Sequence, residues 1–155
     1  MAQIDKREAI LARLAVLLAT VTGVRTVYRN RIDIPESKRP AVVILDADEL
    51  VDPQFEMENA RGTPPAAGIS PVVITMTPEI YLLDSARPAD VGTALNAFRN
   101  KVIRAILQDE TLIGYCKDGD ITYQGFSTGL AAGRRMDGEA GISFGFRYML
   151  FPSKL

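Results

Sequence analysis

The 155-residue sequence contains no histidine, and this absence narrows the functions open to it. Histidine is the most frequent general base and transition-metal ligand in proteins, because its ordinary pKa lies near neutrality. Its absence excludes Ser-His-Asp and Cys-His catalysis, and it excludes zinc sites built on histidine. Carboxylates and lysines alone can support catalysis, so a small carboxylate-using enzyme stays open as an alternative.

Cysteine and net charge are also scarce. Cys116 is the single cysteine, so the chain forms no internal disulfide and offers no zinc framework. We expect it to be a small buried or inert thiol. The formal net charge is -1, which provides no general attraction to nucleic acid or to an anionic membrane.

The N-terminus has a superficial likeness to a secretory signal. Lys6 and Arg7 precede an apolar stretch at residues 14–21, but Asp5 and Glu8 lie in the region that a signal keeps positive. The stretch is far too short to span a bilayer, and no other apolar run approaches that length. We therefore expect an amphipathic core helix here, in a soluble protein that is intracellular when made.

Hydrophobic periodicity predicts an α+β fold in which two helices cover one face of a mainly antiparallel sheet, in the order α-β-β-β-α-β-β. The first helix spans residues 5–22, where Asp5 and Glu8 form a start like a capping box, and the second runs from near Pro88 to about Gln108. Strands are expected at 24–31, 41–45, 72–83, 121–126 and 140–151. The apolar stripes of the helices and the last strand are Ile10, Leu14, Leu17, Leu18, Val21; Val91, Leu95, Phe98, Val102, Ile106; and Ile142, Phe144, Phe146, Tyr148, Leu150.

Three details of the sheet also follow from the pattern. The first two strands are expected to pair as a hairpin with a longish loop. The strand at 41–45 is a continuous apolar run, which is typical of a strand covered on both faces. Pro78 lacks the amide that a sheet ladder needs, so the strand at 72–83 should bulge there or lie at an edge.

The chain is expected to form one domain over residues 1–155, with a long loop at about 46–70. This segment begins acidic and ends in prolines and glycines that prevent regular structure, although part of residues 51–59 could extend a neighbouring hairpin. A loop of this length inside a compact domain is usually functional, or disordered when alone.

Two partial motifs fail on inspection, so we predict no catalytic, metal-binding or cofactor-binding residue. Residues 125–129 match G-x-S-x-G, but Ser127 has no histidine base, and more glycine follows where the nucleophile elbow needs a helix. Asp46 and Asp48 resemble the start of a calcium loop, but valine and methionine occupy the positions that require glycine and glutamate. No phosphate-cradling glycine motif is present.

Charged residues provide the candidate interface. Arg25, Arg29 and Arg31 share strand parity and would form a basic stripe along one face of the first strand. Such a stripe is either a solvated face or a contact for an acidic partner or passing nucleic acid. Arg134 and Arg135 on the glycine-rich turn have the same two interpretations. The full set of candidates for a subunit or partner interface is Arg25, Arg29, Arg31, Asp48, Glu49, Arg61, Arg134 and Arg135.

Several segments together resemble the phage tail terminator and minor tail proteins of long-tailed bacteriophages. They are the amphipathic N-terminal helix, Arg25-Thr-Val-Tyr-Arg-Asn30, and Arg39-Pro-Ala-Val-Val-Ile-Leu-Asp-Ala-Asp-Glu49. A long Val/Ile/Thr strand, a helix beginning near Pro88, Leu107-Gln-Asp-Glu-Thr-Leu112 and a terminal Phe-Arg-Tyr-Met-Leu strand continue the pattern. The similarity spans most of the chain, and it rests on element order and loose patterns.

The resemblance implies a non-enzymatic virion protein without a cofactor, which forms a ring, expected to be a hexamer, at the head-proximal end of the tail tube. The ring would end tube polymerisation and meet the head-completion or neck proteins. DNA would only pass through its lumen, and no membrane would be involved. Such a protein would be found in the host cytoplasm during assembly and in the virion tail afterwards.

Four alternatives stay open. The chain could be a neck or head-closure connector, or a tail tube or baseplate subunit. It could also be the small carboxylate-using enzyme mentioned above. A nucleic-acid-binding module is disfavoured by the charge balance and by the lack of a concentrated basic segment.

Overall fold

The computed structural model describes residues 4–31, 33–52, 71–85, 89–128, 130 and 138–155. Within these ranges the helices are α1 (Lys6–Ala19), α2 (Val91–Gln108) and α3 (Glu110–Tyr115). The strands are β1 (Thr26–Arg29), β2 (Ala41–Leu45), β3 (Glu49–Val51), β4 (Val72–Met76), β5 (Glu79–Asp84), β6 (Ile121–Thr128) and β7 (Gly138–Leu150). All seven strands join one sheet in which every pairing but one is antiparallel. The predicted α+β class is confirmed.

The long strand β7 organises the sheet. Along one side it pairs with β4 and then with β5 in a single register, from Val72 opposite Leu150 to Asp84 opposite Gly138. Along its other side it pairs with β6. Beyond this centre, β5 pairs with β2 and β4 pairs with β3, so the edge strands of the described sheet are β1, β3 and β6.

Pro78 explains why one predicted strand becomes two. It lies between β4 and β5, where it is buried and has no amide to give to the ladder. The two halves keep the same register against β7 but have different outer neighbours, β3 and β2. The expectation of an edge position is wrong, because both halves have a strand on each side.

The expected hairpin between the first two strands is wrong. β1 and β2 are parallel, with Thr26 opposite Ala41 and Arg29 opposite Ile44. Parallel neighbours need a connection that returns to the starting end of the first strand. The chain makes this return between Arg29 and Ala41, where the described residues contain a short 3₁₀ turn at Glu36–Lys38. Strand composition alone does not encode the direction of pairing.

The helices cover one face of the sheet, as predicted. α1 begins at Asp5, whose carboxylate accepts a hydrogen bond of 3.2 Å from the Glu8 amide. Phe144 is fully buried in this core, and truncating a buried phenylalanine costs about 3–5 kcal/mol. All five stripe positions of α2 are buried, as are Ile10, Leu14, Leu18 and Val21 of the first stripe and Ile142, Phe144, Phe146 and Tyr148 of β7.

Helix α3 was not expected from the sequence. Asp109 ends α2 and caps α3, accepting a 2.9 Å hydrogen bond from the amide of Leu112. The same carboxylate binds Arg13 of α1 through two hydrogen bonds of 2.6 and 3.0 Å. The helical layer is therefore tied together at this turn.

The opposite face of the sheet is covered over β2. Ile34, from the connection between β1 and β2, packs with Ala41, Val43 and Leu83 in a second, smaller cluster. Because Val42 and Ile44 face the main core, β2 is buried on both faces, as its continuous apolar run predicts.

Candidate assembly surface

β3 is an exposed edge strand. Among the described strands it pairs with β4 alone, and Leu50 and Val51 keep 73% and 44% of their surface exposed. An exposed edge of this kind can pair or pack with another chain. It also occupies part of the segment predicted as a loop at 46–70, of which residues 53–70 lie outside the described ranges.

The segment that leads into β3 is held by Arg29. The Arg29 guanidinium donates hydrogen bonds of 2.8 and 2.7 Å to Asp46, and of 2.7 and 2.9 Å to Glu8 of α1. These contacts lower the pKa of both carboxyl groups and raise the pKa of Arg29. The Asp46 amide also donates to the Asn30 side chain at 2.8 Å. Two strands and a helix are thus joined at one charge centre.

A buried tyrosine anchors β3 itself. The hydroxyl of Tyr148, a residue that is 2% exposed, donates a 2.6 Å hydrogen bond to the carboxylate of Glu49. Burial raises the pKa of Tyr148, and the neighbouring carboxylate raises it further, so Tyr148 stays a donor. Arg7 adds a 3.3 Å ion pair to Glu49 and a 2.6 Å hydrogen bond to the carbonyl of Ala47.

Arg147 fixes the end of the same segment. Its guanidinium lies 2.5 Å from Asp52 and 3.8 Å from Asp120. The amide of Asp52 donates to the Val73 carbonyl at 2.8 Å, which extends the pairing of β3 with β4. These contacts hold β3 in place before any partner binds. An assembly contact at β3 would therefore cost less conformational entropy.

The three arginines predicted as one basic stripe do not share a face. Arg29 turns to the helix side, whereas the Arg31 guanidinium lies 4.7 Å from the ring centre of Tyr28 on the opposite face. Asn30 between them has a φ of 56°, a left-handed conformation that breaks the alternation of a strand. Arg25 lies before β1 and donates to the Ser37 carbonyl at 2.8 Å. The stripe prediction is wrong for this reason.

The other predicted interface residues divide into two groups. Asp48 and Glu49 lie together at the start of β3, where Glu49 is anchored and Asp48 is exposed. Arg61, Arg134 and Arg135 lie outside the described residues. As interface residues, all of these remain predictions.

The outer face of α2 is basic. Its 18 residues include Arg99, Lys101 and Arg104 but no acidic residue. Lys101 and Arg104 are exposed and form no ion pair with any residue in the described ranges, and Leu107 beside them is 39% exposed. An open groove of about 410 Å³ separates this face from the end of α1. The lack of acid in this helix is visible in the sequence, but these residues were left out of the predicted interface.

Cys116 and Ser127, the two residues considered as nucleophiles, lie in surroundings that do not favour reactivity. Cys116 is buried, and burial raises the pKa of its thiol to about 11, so it is a poor nucleophile near neutral pH. Ser127 lies within β6 rather than on a strand-to-helix turn, two residues after Gly125, where the pairing with β7 shifts register.

The described ranges hold no group of three potential metal ligands. Of the helices in those ranges, none is long and apolar enough to cross a membrane.

Comparisons with known proteins found little at the level of sequence. No protein-family model matches the chain, and no curated protein matches it. Among solved structures, one match is the sheath/tube terminator, in the extended state, of the extracellular contractile injection system PVC, determined by cryo-EM. The two are 17% identical, with a TM-score of 0.47 over 96% of this chain and 57% of that one. The chain thus spans little more than half the length of that protein.

Proposed function

We propose that this chain is a structural virion protein that caps the head-proximal end of a phage tail tube as a ring. In this role it ends tube polymerisation and forms the surface to which the head-completion or neck proteins attach. The proposal combines the segments that resemble tail terminator proteins with the element order of the fold. The expected stoichiometry is a hexamer, with the DNA passing through the lumen, and the work of the subunit is binding rather than catalysis.

The observation that carries the proposal is the anchored, exposed β3 edge. Three arginines and Tyr148 hold this short strand to the body of the molecule, while Leu50 remains 73% exposed. Holding an apolar edge strand rigidly in water has no benefit for an isolated subunit, because it invites association. A subunit that must join neighbours in one fixed geometry does benefit.

Mass and shape of the assembled protein test the proposal. The purified chain is examined by light scattering over a concentration series and by negative-stain imaging, alone and with isolated tail tubes. We expect closed rings of fixed subunit number, or caps on one end of each tube, together with an arrest of tube growth. Open-ended tubes made by the chain itself would instead identify a tube subunit. A protein that stays monomeric and leaves tube ends bare would contradict the proposal.

A further inference from the structure

We propose that the β3 edge of one subunit docks onto the basic outer face of α2 in the next copy of this chain. The inference rests on the proposed function, since it names the contact by which the ring closes. It assigns Asp48 and Leu50 to one side of the contact, and Lys101, Arg104 and Leu107 to the other.

The two surfaces carry opposite charge. The chain has a formal net charge of -1, yet the described charges are unevenly placed. In the segment at residues 46–52, three acidic residues pair with arginines of the same chain, whereas Asp48 is exposed outside those pairs. Helix α2 has three basic residues and no acidic one, and its Lys101 and Arg104 are exposed. Oppositely charged surfaces on a nearly neutral chain favour contact between copies of that chain. A different partner that bound both surfaces would need a matching patch of each charge.

Both surfaces combine exposed charge with exposed apolar area. Leu50 is 73% exposed beside Asp48, and Leu107 is 39% exposed one turn from Arg104. Residues three apart on a helix lie on neighbouring positions of its surface, so Lys101, Arg104 and Leu107 form one continuous strip. A contact between the two surfaces would bury leucine against leucine and pair the carboxylate with the two cations.

The two surfaces lie at different places on the molecule. Arg7, in the first turn of α1, contacts Glu49 of β3. The Thr22 carbonyl, just beyond the other end of α1, accepts a 3.3 Å hydrogen bond from Lys101. The Lys101 end of the α2 strip is therefore separated from β3 by about the length of α1, roughly 20 Å at 1.5 Å per residue. The strip runs from there back toward the middle of α1, where Asp109 contacts Arg13. Each copy then keeps a free surface of each kind when one contact forms, and such head-to-tail contacts close into rings when the rotation allows.

Charge exchange on the full-length chain tests this contact. The first variant carries Lys101→Glu and Arg104→Glu, the second carries Asp48→Lys, and the third combines all three changes. All three positions are exposed, so the fold should survive, and circular dichroism and thermal melting check this. The matched control carries Lys38→Glu and Lys154→Glu, which changes the net charge as the first variant does but lies elsewhere on the surface.

We expect the first and second variants to weaken self-association by roughly tenfold or more at low salt, since like charges then face each other. The combined variant should recover assembly to within a fewfold of the original, and the control should assemble normally. The attraction should weaken as the salt concentration is raised, because the screening length of exposed charges falls to about 10 Å at 0.1 M salt.

The results that would contradict the proposed contact can be told apart. If the first variant forms rings like the original chain, or if the combined variant does not recover, this contact is wrong while the ring can still stand. If the first variant assembles normally but loses binding to duplex DNA, the α2 face serves DNA and the inference is overturned. If the original chain self-associates neither alone nor on tail tubes, both the inference and the proposed function fail.

Discussion

The hydrogen bond between Tyr148 and Glu49 offers the sharpest test of how the β3 edge is held. The change Tyr148→Phe removes one hydroxyl and keeps the ring that packs in the core. A hydrogen bond to a charged group contributes about 1.5–3 kcal/mol to stability. The Glu49 side chain is 39% exposed and keeps Arg7, so water replaces part of the loss. We therefore expect the free energy of unfolding to fall by about 1.5 kcal/mol, the lower end of that range.

Urea unfolding followed by circular dichroism measures this loss, and a double-mutant cycle with Glu49→Ala isolates the pair. The coupling energy between the two changes should be about 1 kcal/mol. Hydrogen exchange should show faster exchange in β3 and little change in α2. The matched control is Tyr28→Phe, since the Tyr28 hydroxyl has no hydrogen bond to a residue of the described chain; its effect should stay within about 0.5 kcal/mol. Equal stability losses at the two tyrosines, or a coupling energy near zero, would refute the anchoring role of Tyr148.

Two further predictions concern the helical layer and the centre of the sheet. The hydrogen bonds from Arg13 hold the pKa of Asp109 below its ordinary value. The ionised carboxylate therefore contributes its full stabilisation at pH values above the unfolded pKa of about 3.9. This contribution is lost as the pH falls through the lower pKa of the folded state. Asp109→Asn should therefore flatten the acid limb of a stability-against-pH curve measured by urea unfolding; an unchanged limb would contradict this. Gly138→Ala should destabilise by about 1–3 kcal/mol, because the new Cβ would lie 2.5 Å from the carbonyl oxygen of Asp84. Thermal melting of both variants measures this, and Gly145→Ala should cost less, since its Cβ would meet the end of a flexible side chain. The reverse order would show that the backbone at Gly138 yields easily.

The periodic elements of this fold were predictable from the sequence. The stripe from Val91 to Ile106 and the alternation from Ile142 to Tyr148 each place apolar side chains on one side over several turns or residues. Burial of those sides against each other then follows from the hydrophobic effect. Asp5 was also predictable as a helix start, because its capping contact is local.

The features that depend on long-range contacts were not predictable in this way. The parallel pairing of β1 with β2 depends on the path of residues 30–40, and the six-residue helix α3 is too short to show periodicity. The arginine stripe failed because one left-handed residue, Asn30, reverses the alternation. Tyr148 was predicted as core, but its partner Glu49 is 99 residues away, and no local pattern joins them.

The long-range contacts determine where the candidate interface residues lie. The sequence predicted Glu49 and Asp48 as interface residues because they are acidic, and the fold places them at the start of an exposed edge strand. The basic face of α2 is visible in the sequence as a helix without an acidic residue, but the position of Lys101 beside the end of α1 emerges only from the fold.

We propose that this chain works by forming a closed ring at a tube end. Negative-stain imaging of the full-length protein, with the mass of each species measured by light scattering, tests it most directly. If the proposal is correct, rings of a single subunit number with a central hole form, bind one end of a tail tube and stop its growth. A chain that remains monomeric beside growing, uncapped tubes would contradict it.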